Sequence, residues 1–159
     1  MRRKSPKINP PERLSRRRVA IIRAEYNSEI TSRLEQKCLE GLRQGGIRAA
    51  QVDCFRVPGC FEIPLVAQRL AALKRYDAMI ALGAVIRGDT YHFDLVANEC
   101  ARGVMDVSLR FNVPIIFEVL ATYNRCDALR RAGNNRANKG YEAALAAVEM
   151  LRTLGQIES

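Results

Sequence analysis

The sequence has one histidine, His92, and five cysteines, Cys38, Cys54, Cys60, Cys100 and Cys126. No two cysteines stand in a C-x-x-C spacing, so the clustered ligands of a structural zinc site are missing. An odd number of thiols with no pairing pattern also argues against a disulfide framework and for a reducing, cytoplasmic interior. Long apolar runs are lacking too. The longest, such as 78–86, fall well short of the about 18 residues that a membrane span needs. The basic start is followed by no apolar stretch, so no secretory leader is expected. Neither G-x-x-x-x-G-K-[ST] nor G-x-G-x-x-G occurs, which leaves nucleoside triphosphate and dinucleotide binding without their phosphate-cradling loops.

What is present fits one globular domain. The chain has 159 residues, of which 48% are apolar, and domains commonly run to about 100–200 residues. Its formal charge of +9 is unevenly spread. Residues 1–18 hold eight basic side chains against Glu12 alone, a balance of +7, while residues 19–159 hold eighteen against sixteen, a balance of +2. Residues 1–17, with Pro6, Pro10 and Pro11 and little to bury, read as a flexible basic arm. Residues 18–159 read as a single α/β domain. The body offers no basic aromatic face, so anion or nucleic-acid binding is expected only weakly, through the arm.

Periodicity supplies the elements. Val19-Ala20-Ile21-Ile22 is a short buried-strand run, after which Asn27 and Ser28 offer N-cap oxygens to a helix carrying Ile30, Leu34, Cys38 and Leu42 at helical spacing. Gly45-Gly46 ends it. A second strand is expected over 50–56, then a helix with Pro64 in its first turn and Leu65, Leu70 and Leu73 among its apolar positions. A third strand is expected over 77–86, apolar without a break from Ala78 onward, as suits a sheet covered on both faces. A helix over 92–110, a strand over 114–120 and helices near 125–131 and 141–154 complete a βαβαβαβαα order. That order predicts an open four-stranded parallel sheet with helices on both faces.

Ligands of such sheets bind at the carboxyl ends of the strands. Four segments of this sequence meet there: Glu25-Tyr26-Asn27, the stretch 57–62, the stretch 84–92, and the stretch 117–122. In the third, Gly88 permits a sharp turn and the following amides face the start of a helix, a natural anion site. Thr90 adds a hydroxyl, and His92 is the one side chain suited to shuttling protons near neutrality. The same residues also admit a plain reading, with Thr90 capping the helix and His92 packing on its first turn. Glu62 could accept hydrogen bonds from a polyhydroxy ligand or simply face the helix dipole. Cys60 has no local His or Asn partner and reads as pocket lining. Tyr26 is either a flat wall for a heterocycle or an ordinary tyrosine. Arg130 and Arg131, before the polar hinge 133–140, are a solvated helix end or a phosphate grip.

Taken in order, Tyr26-Asn27, Val57-Pro58-Gly59-Cys60-Phe61-Glu62-Ile63-Pro64, Leu82-Gly83-Ala84-Val85-Ile86-Arg87-Gly88-Asp89-Thr90-Tyr91-His92-Phe93, Arg131-Ala132-Gly133 and Asn138-Lys139-Gly140 resemble the lumazine synthase family over about residues 18–154. The resemblance implies a flavodoxin-like fold. It also implies condensation of 5-amino-6-(D-ribitylamino)uracil with 3,4-dihydroxy-2-butanone 4-phosphate to 6,7-dimethyl-8-ribityllumazine, the penultimate step of riboflavin biosynthesis, with phosphate and water released and no metal or other cofactor. By position, Tyr26 would stack on the pyrimidine, beside Asn27. Cys60, Phe61 and Glu62 would contact the ribityl chain and ring, and Ala84, Val85 and Ile86 would line the ring pocket and offer backbone hydrogen bonds. Asp89 and Thr90 would hold the phosphate with Arg131, and His92 would move protons. Phe117, Arg131 and Lys139 would come from an adjacent chain, making the protein a homopentamer, alone or stacked into decamers or a sixty-subunit shell.

Departures from the family pattern accompany the match. Tyr26 stands where Phe or Trp is usual, Cys60 where Ala is common, Glu118-Val119-Leu120-Ala121 replaces Gly-Val-Leu-Thr, and Arg130 sits where an acidic residue is common. A non-catalytic lumazine- or flavin-binding paralogue is the alternative reading; retention of His92 and Arg131 speaks against it.

Overall fold

A computed structural model describes residues 14–158. Four strands, β1 (Val19–Ala24), β2 (Val52–Val57), β3 (Ala78–Ile86) and β4 (Ile115–Thr122), form one parallel sheet in the order β2-β1-β3-β4. Five helices accompany them: α1 (Ser28–Gln44), α2 (Ile63–Ala72), α3 (His92–Phe111), α4 (Arg125–Arg131) and α5 (Lys139–Ile157). This is the expected flavodoxin-like α/β architecture. The chain steps from β1 outward to β2 and then back across to β3 and β4. The crevice beyond β1 and β3 is therefore the topological switch point.

Strand alternation divides the core in two. Val19 and Ile21 of β1 with Ile80, Leu82 and Ala84 of β3 face a layer built from Ile30, Leu34, Cys38 and Leu42 of α1 and Ala143, Ala144, Ala147, Val148 and Leu151 of α5. Ala20, Ile22, Met79 and Ala81 face the other way, against Ile63, Ala67, Leu70 and Ala71 of α2 and Cys100, Val104 and Val107 of α3. The spacing of each set is that of one helical face. Of the leucines expected among the apolar positions of α2, Leu65 lies on its outer side and Leu73 just past its last residue, and both are exposed. Close approach of α1 to α5 requires Gly140, where a Cβ would overlap the backbone of Leu34.

Two buried polar groups shape the frame. Arg23 of β1, 3% exposed, donates from Nε to Glu35 at 3.1 Å and from Nη1 to Thr31 Oγ1 at 3.2 Å. A buried charge must be paired in this way, and the pairing pins α1 to the sheet. Gln51 donates to the carbonyls of Leu14 and Arg17, both at 2.7 Å, and accepts from the Arg48 N–H at 3.0 Å. That capture turns 49–51 into a short 3-10 turn, so β2 begins at Val52 and not at Ala50.

Most of the expected basic arm, residues 1–13, lies outside the described residues. Its last four are described and sit against the domain. Leu14 is buried in the α1–α5 layer, and Arg17 bonds the Asp77 carboxylate at 2.9 Å. At the other end of the chain α5 starts two residues earlier than its periodicity suggests. Asn138 Oδ1 accepts from the Gly140 and Tyr141 N–H groups, at 2.8 and 3.4 Å, while its Nδ2 donates to the Gly133 carbonyl. Two free helix-end donors are thereby satisfied. Among the described residues no helix is long and apolar enough to cross a membrane.

Candidate active site at the carboxyl ends of the strands

β1 ends at Ala24, in register with Val57 of β2, and its pairing with β3 stops at Arg23–Leu82. Beyond that point β3 would present bare backbone groups to the crevice. Two side chains fill the gap. Asn27 Nδ2 donates to the Ala84 carbonyl at 2.8 Å, and the Ala84 N–H reaches the Cys60 thiol. Asn27 was expected to cap α1 through its side chain; it does not. With φ 60 and ψ 44 it adopts the left-handed conformation, which Asn tolerates better than most residues. Its side chain then points across to β3, and only its carbonyl starts the helix, accepting from Ile30 at 2.9 Å and Thr31 at 3.1 Å.

The loops after β1 and β2 are tied by backbone bonds, Glu25 N–H to the Val57 carbonyl at 2.8 Å and Tyr26 N–H to the Pro58 carbonyl at 3.0 Å. Tyr26 and Phe61 consequently stand out from the same rim, 73% and 58% exposed. Cys60 and Glu62 belong to a 3-10 turn leading into α2. Cys60 is buried over Gly83, where any Cβ would overlap its sulfur, and burial pushes its thiol up to about 11. A thiol so weakly acidic is no nucleophile at neutral pH, in keeping with pocket lining. Ala84 is 2% exposed and its carbonyl is already bonded to Asn27, so the part of the strand end open to a ligand is Val85 and Ile86, both half-buried.

From β3 the chain passes through Arg87 into the loop Gly88–Tyr91. The Arg87 N–H donates to the Thr122 carbonyl at 2.9 Å, which carries the β3–β4 pairing one step past the strand. Gly88, Asp89 and Thr90 follow, all exposed. The His92 N–H approaches Thr90 Oγ1 at 3.4 Å, a long contact that leaves the hydroxyl able to serve a ligand. His92 opens α3 and is exposed; its side chain is not packed on the first turn of the helix.

A second set lies along the free edge of the sheet. Phe117 and Glu118 occupy opposite faces of β4, the edge strand opposite β2. Lys139 bonds Glu142 at 2.7 Å and is electrostatically coupled to Glu118 and Arg131. Arg131 is exposed and donates to the Asp127 carbonyl at 3.0 Å. Burial raises the Glu118 carboxyl to about 7, with Glu142 adding to the rise and Lys139 opposing it. No hydrogen bond or ion pair among the described residues joins Arg131 or Lys139 to Asp89, Thr90 or His92. The chain therefore brings Tyr26, Asn27, Cys60, Phe61, Glu62, Val85, Ile86, Asp89, Thr90 and His92 to one end, and carries Phe117, Arg131 and Lys139 on its edge.

Two groups escaped the sequence reading. Glu118 was noticed as a departure, but its raised proton affinity follows from packing against α5. Tyr123 was not singled out, although an aromatic directly after the carboxyl end of β4 was a usable signal. A cavity of about 200 Å³ lined by Arg17, Tyr76, Asp77 and Pro114 lies at the amino ends of β3 and β4, away from all these groups. The described residues hold no group of three or more His, Cys, Asp or Glu placed for a metal ion. A family model described as 6,7-dimethyl-8-ribityllumazine synthase matches residues 16–155 of the 159-residue chain.

Proposed function

The chain belongs to the 6,7-dimethyl-8-ribityllumazine synthase family of riboflavin biosynthesis, and we propose that it catalyses the condensation of 5-amino-6-(D-ribitylamino)uracil with 3,4-dihydroxy-2-butanone 4-phosphate. The observation that carries this reading is the exposed histidine at the head of α3, directly behind an open Gly-Asp-Thr loop at the switch point of the sheet. The uracil ring would lie on Tyr26 and between Phe61 and the Val85-Ile86 strand end, its ribityl hydroxyls reaching Glu62. The phosphate would sit on the amides and hydroxyl of Gly88–Thr90, where the start of a helix favours an anion.

The chemistry consists largely of proton movements. The uracil amine attacks the ketone and water leaves to form an imine; phosphate is eliminated; the ring closes and a second water departs. His92 is placed to take and return protons through these steps, and holding both reactants in one crevice supplies a proximity advantage. Arg131 would offset charge on the departing phosphate.

Arg131 and Lys139 stand apart from the loop within one chain, and Phe117 is 39% exposed on β4, an edge strand paired on one side only. This supports a site shared between neighbouring chains, with Phe117, Arg131 and Lys139 supplied by the next subunit of a homopentamer. The test is formation of the lumazine, followed by its absorbance with both substrates present. His92→Ala should lower kcat by about 10²–10³-fold while leaving ligand affinity within a few-fold. Absence of product above the uncatalysed rate with the unaltered chain would sink the reading.

A further inference from the structure

The loop Gly88–Tyr91 is exposed along its whole length, and among the described residues its side chains make one hydrogen bond, the 3.4 Å approach of the His92 N–H to Thr90 Oγ1. Something must hold such a segment still if it is to grip a phosphate. One side chain from another element touches both of its ends. The Tyr123 ring, in the turn between β4 and α4, lies beneath the Arg87 guanidinium, whose carbon is 5.6 Å from the ring centroid. The same ring meets Phe93 with centroids 6.4 Å apart and planes inclined at 42°. Arg87 is the first residue before the loop and Phe93 the first after His92. Tyr123 is itself 73% exposed, so burial of its ring in the core does not explain its place.

From these contacts we infer that Tyr123 is a positioning residue for the phosphate loop, acting through Arg87 at one end and Phe93 at the other. This rests on the condensation reading above. The ring face attracts the guanidinium through its quadrupole, and the tilted ring pair fixes the start of α3. The backbone bond from Arg87 to Thr122 sets the height of the loop; the ring sets its lateral position. Tyr123 touches no reacting atom. Its effect should therefore fall on the phosphate-bearing substrate and not on the uracil.

Tyr123→Phe keeps the ring and should leave all constants within about twofold. Tyr123→Leu keeps an apolar contact for Phe93 but loses the ring face under Arg87, and should raise KM for the phosphorylated ketone about fivefold, with KM for the uracil unchanged. Since the site is exposed, both variants should retain the melting temperature of the unaltered chain; a general loss of stability would instead move both KM values. Calorimetric binding of inorganic phosphate reads the same effect without turnover, weakened about fivefold in Tyr123→Leu and unchanged in Tyr123→Phe. A chain that binds phosphate with this ring dependence yet forms no lumazine would refute the reaction and keep the inference. Equal phosphate affinity in all three proteins, or none in the unaltered chain, would overturn the inference whatever the turnover.

Discussion

Glu118 provides the sharpest test of how the edge of the sheet is built. Its carboxyl is moved from 4.5 to about 7, chiefly because β4 and α5 withdraw it from water, with Glu142 adding repulsion and Lys139 giving back part of the cost. Between those two values the unfolded carboxyl has released its proton while the folded one still holds it. Unfolding then releases a proton, so stability is fully present below about 4.5 and is lost as pH rises through about 7. At 1.36 kcal/mol for each pKa unit, the displacement corresponds to at most about 3 kcal/mol. Because the group remains partly solvated, screening reduces this to on the order of 1–2 kcal/mol. Glu118→Gln keeps the shape and removes the charge. It should stabilise the chain by about that amount at pH 8, make no difference near pH 4.5, and flatten the pH slope between. Denaturant unfolding across this range at fixed protein concentration gives the answer, provided the slope m is unchanged. A Gln variant that is less stable than the original at pH 8, or whose difference does not vary with pH, would refute the argument that burial dominates over the Lys139 attraction.

Two further predictions concern the stitching of the crevice. Asn27→Ala removes the bond to the Ala84 carbonyl and places a less tolerant residue at positive φ, so unfolding should cost about 1–3 kcal/mol less; Asn27→Gly, which loses the bond but relieves the backbone, should fall between the two in the same measurement. Gly83→Ala drives a methyl group into the Cys60 sulfur and should destabilise by about 1–3 kcal/mol. Adding Cys60→Ala should recover most of that loss, and a double-mutant cycle showing simple additivity would mean that the two positions do not share the space.

The elements that sequence periodicity located best are those whose partners are themselves periodic. Helix α4 runs from Arg125 to Arg131 as its spacing suggests, and β3 differs from expectation by one residue, because each buries a face against regular neighbours. The misplacements have non-local causes. Nothing near Gln51 announces that its amide will bond the carbonyls of Leu14 and Arg17, yet that capture converts the first turn of the expected strand β2 into a 3-10 turn. Leu65 and Leu73 read as apolar positions of α2, but the sheet faces the rotation defined by Ile63, Ala67 and Leu70.

The site shows the same division with more consequence. Its residue types were legible: a lone histidine after a Gly-Asp-Thr turn and an aromatic rim beyond β1 and β2. Its construction was not. Asn27, by its position ahead of a helix, has the look of a cap, and a capping Asn would have left the end of β3 unsupported. The left-handed backbone at that one residue redirects the amide by a full turn of function, from satisfying helix donors to closing the gap left when β1 ends three residues before β3. Cys60 closes the same gap from the other side. The crevice is therefore shaped less by the residues that would touch substrate than by two short polar side chains that replace the missing strand. Substitutions at those two positions should alter binding of the uracil without either residue needing to contact it.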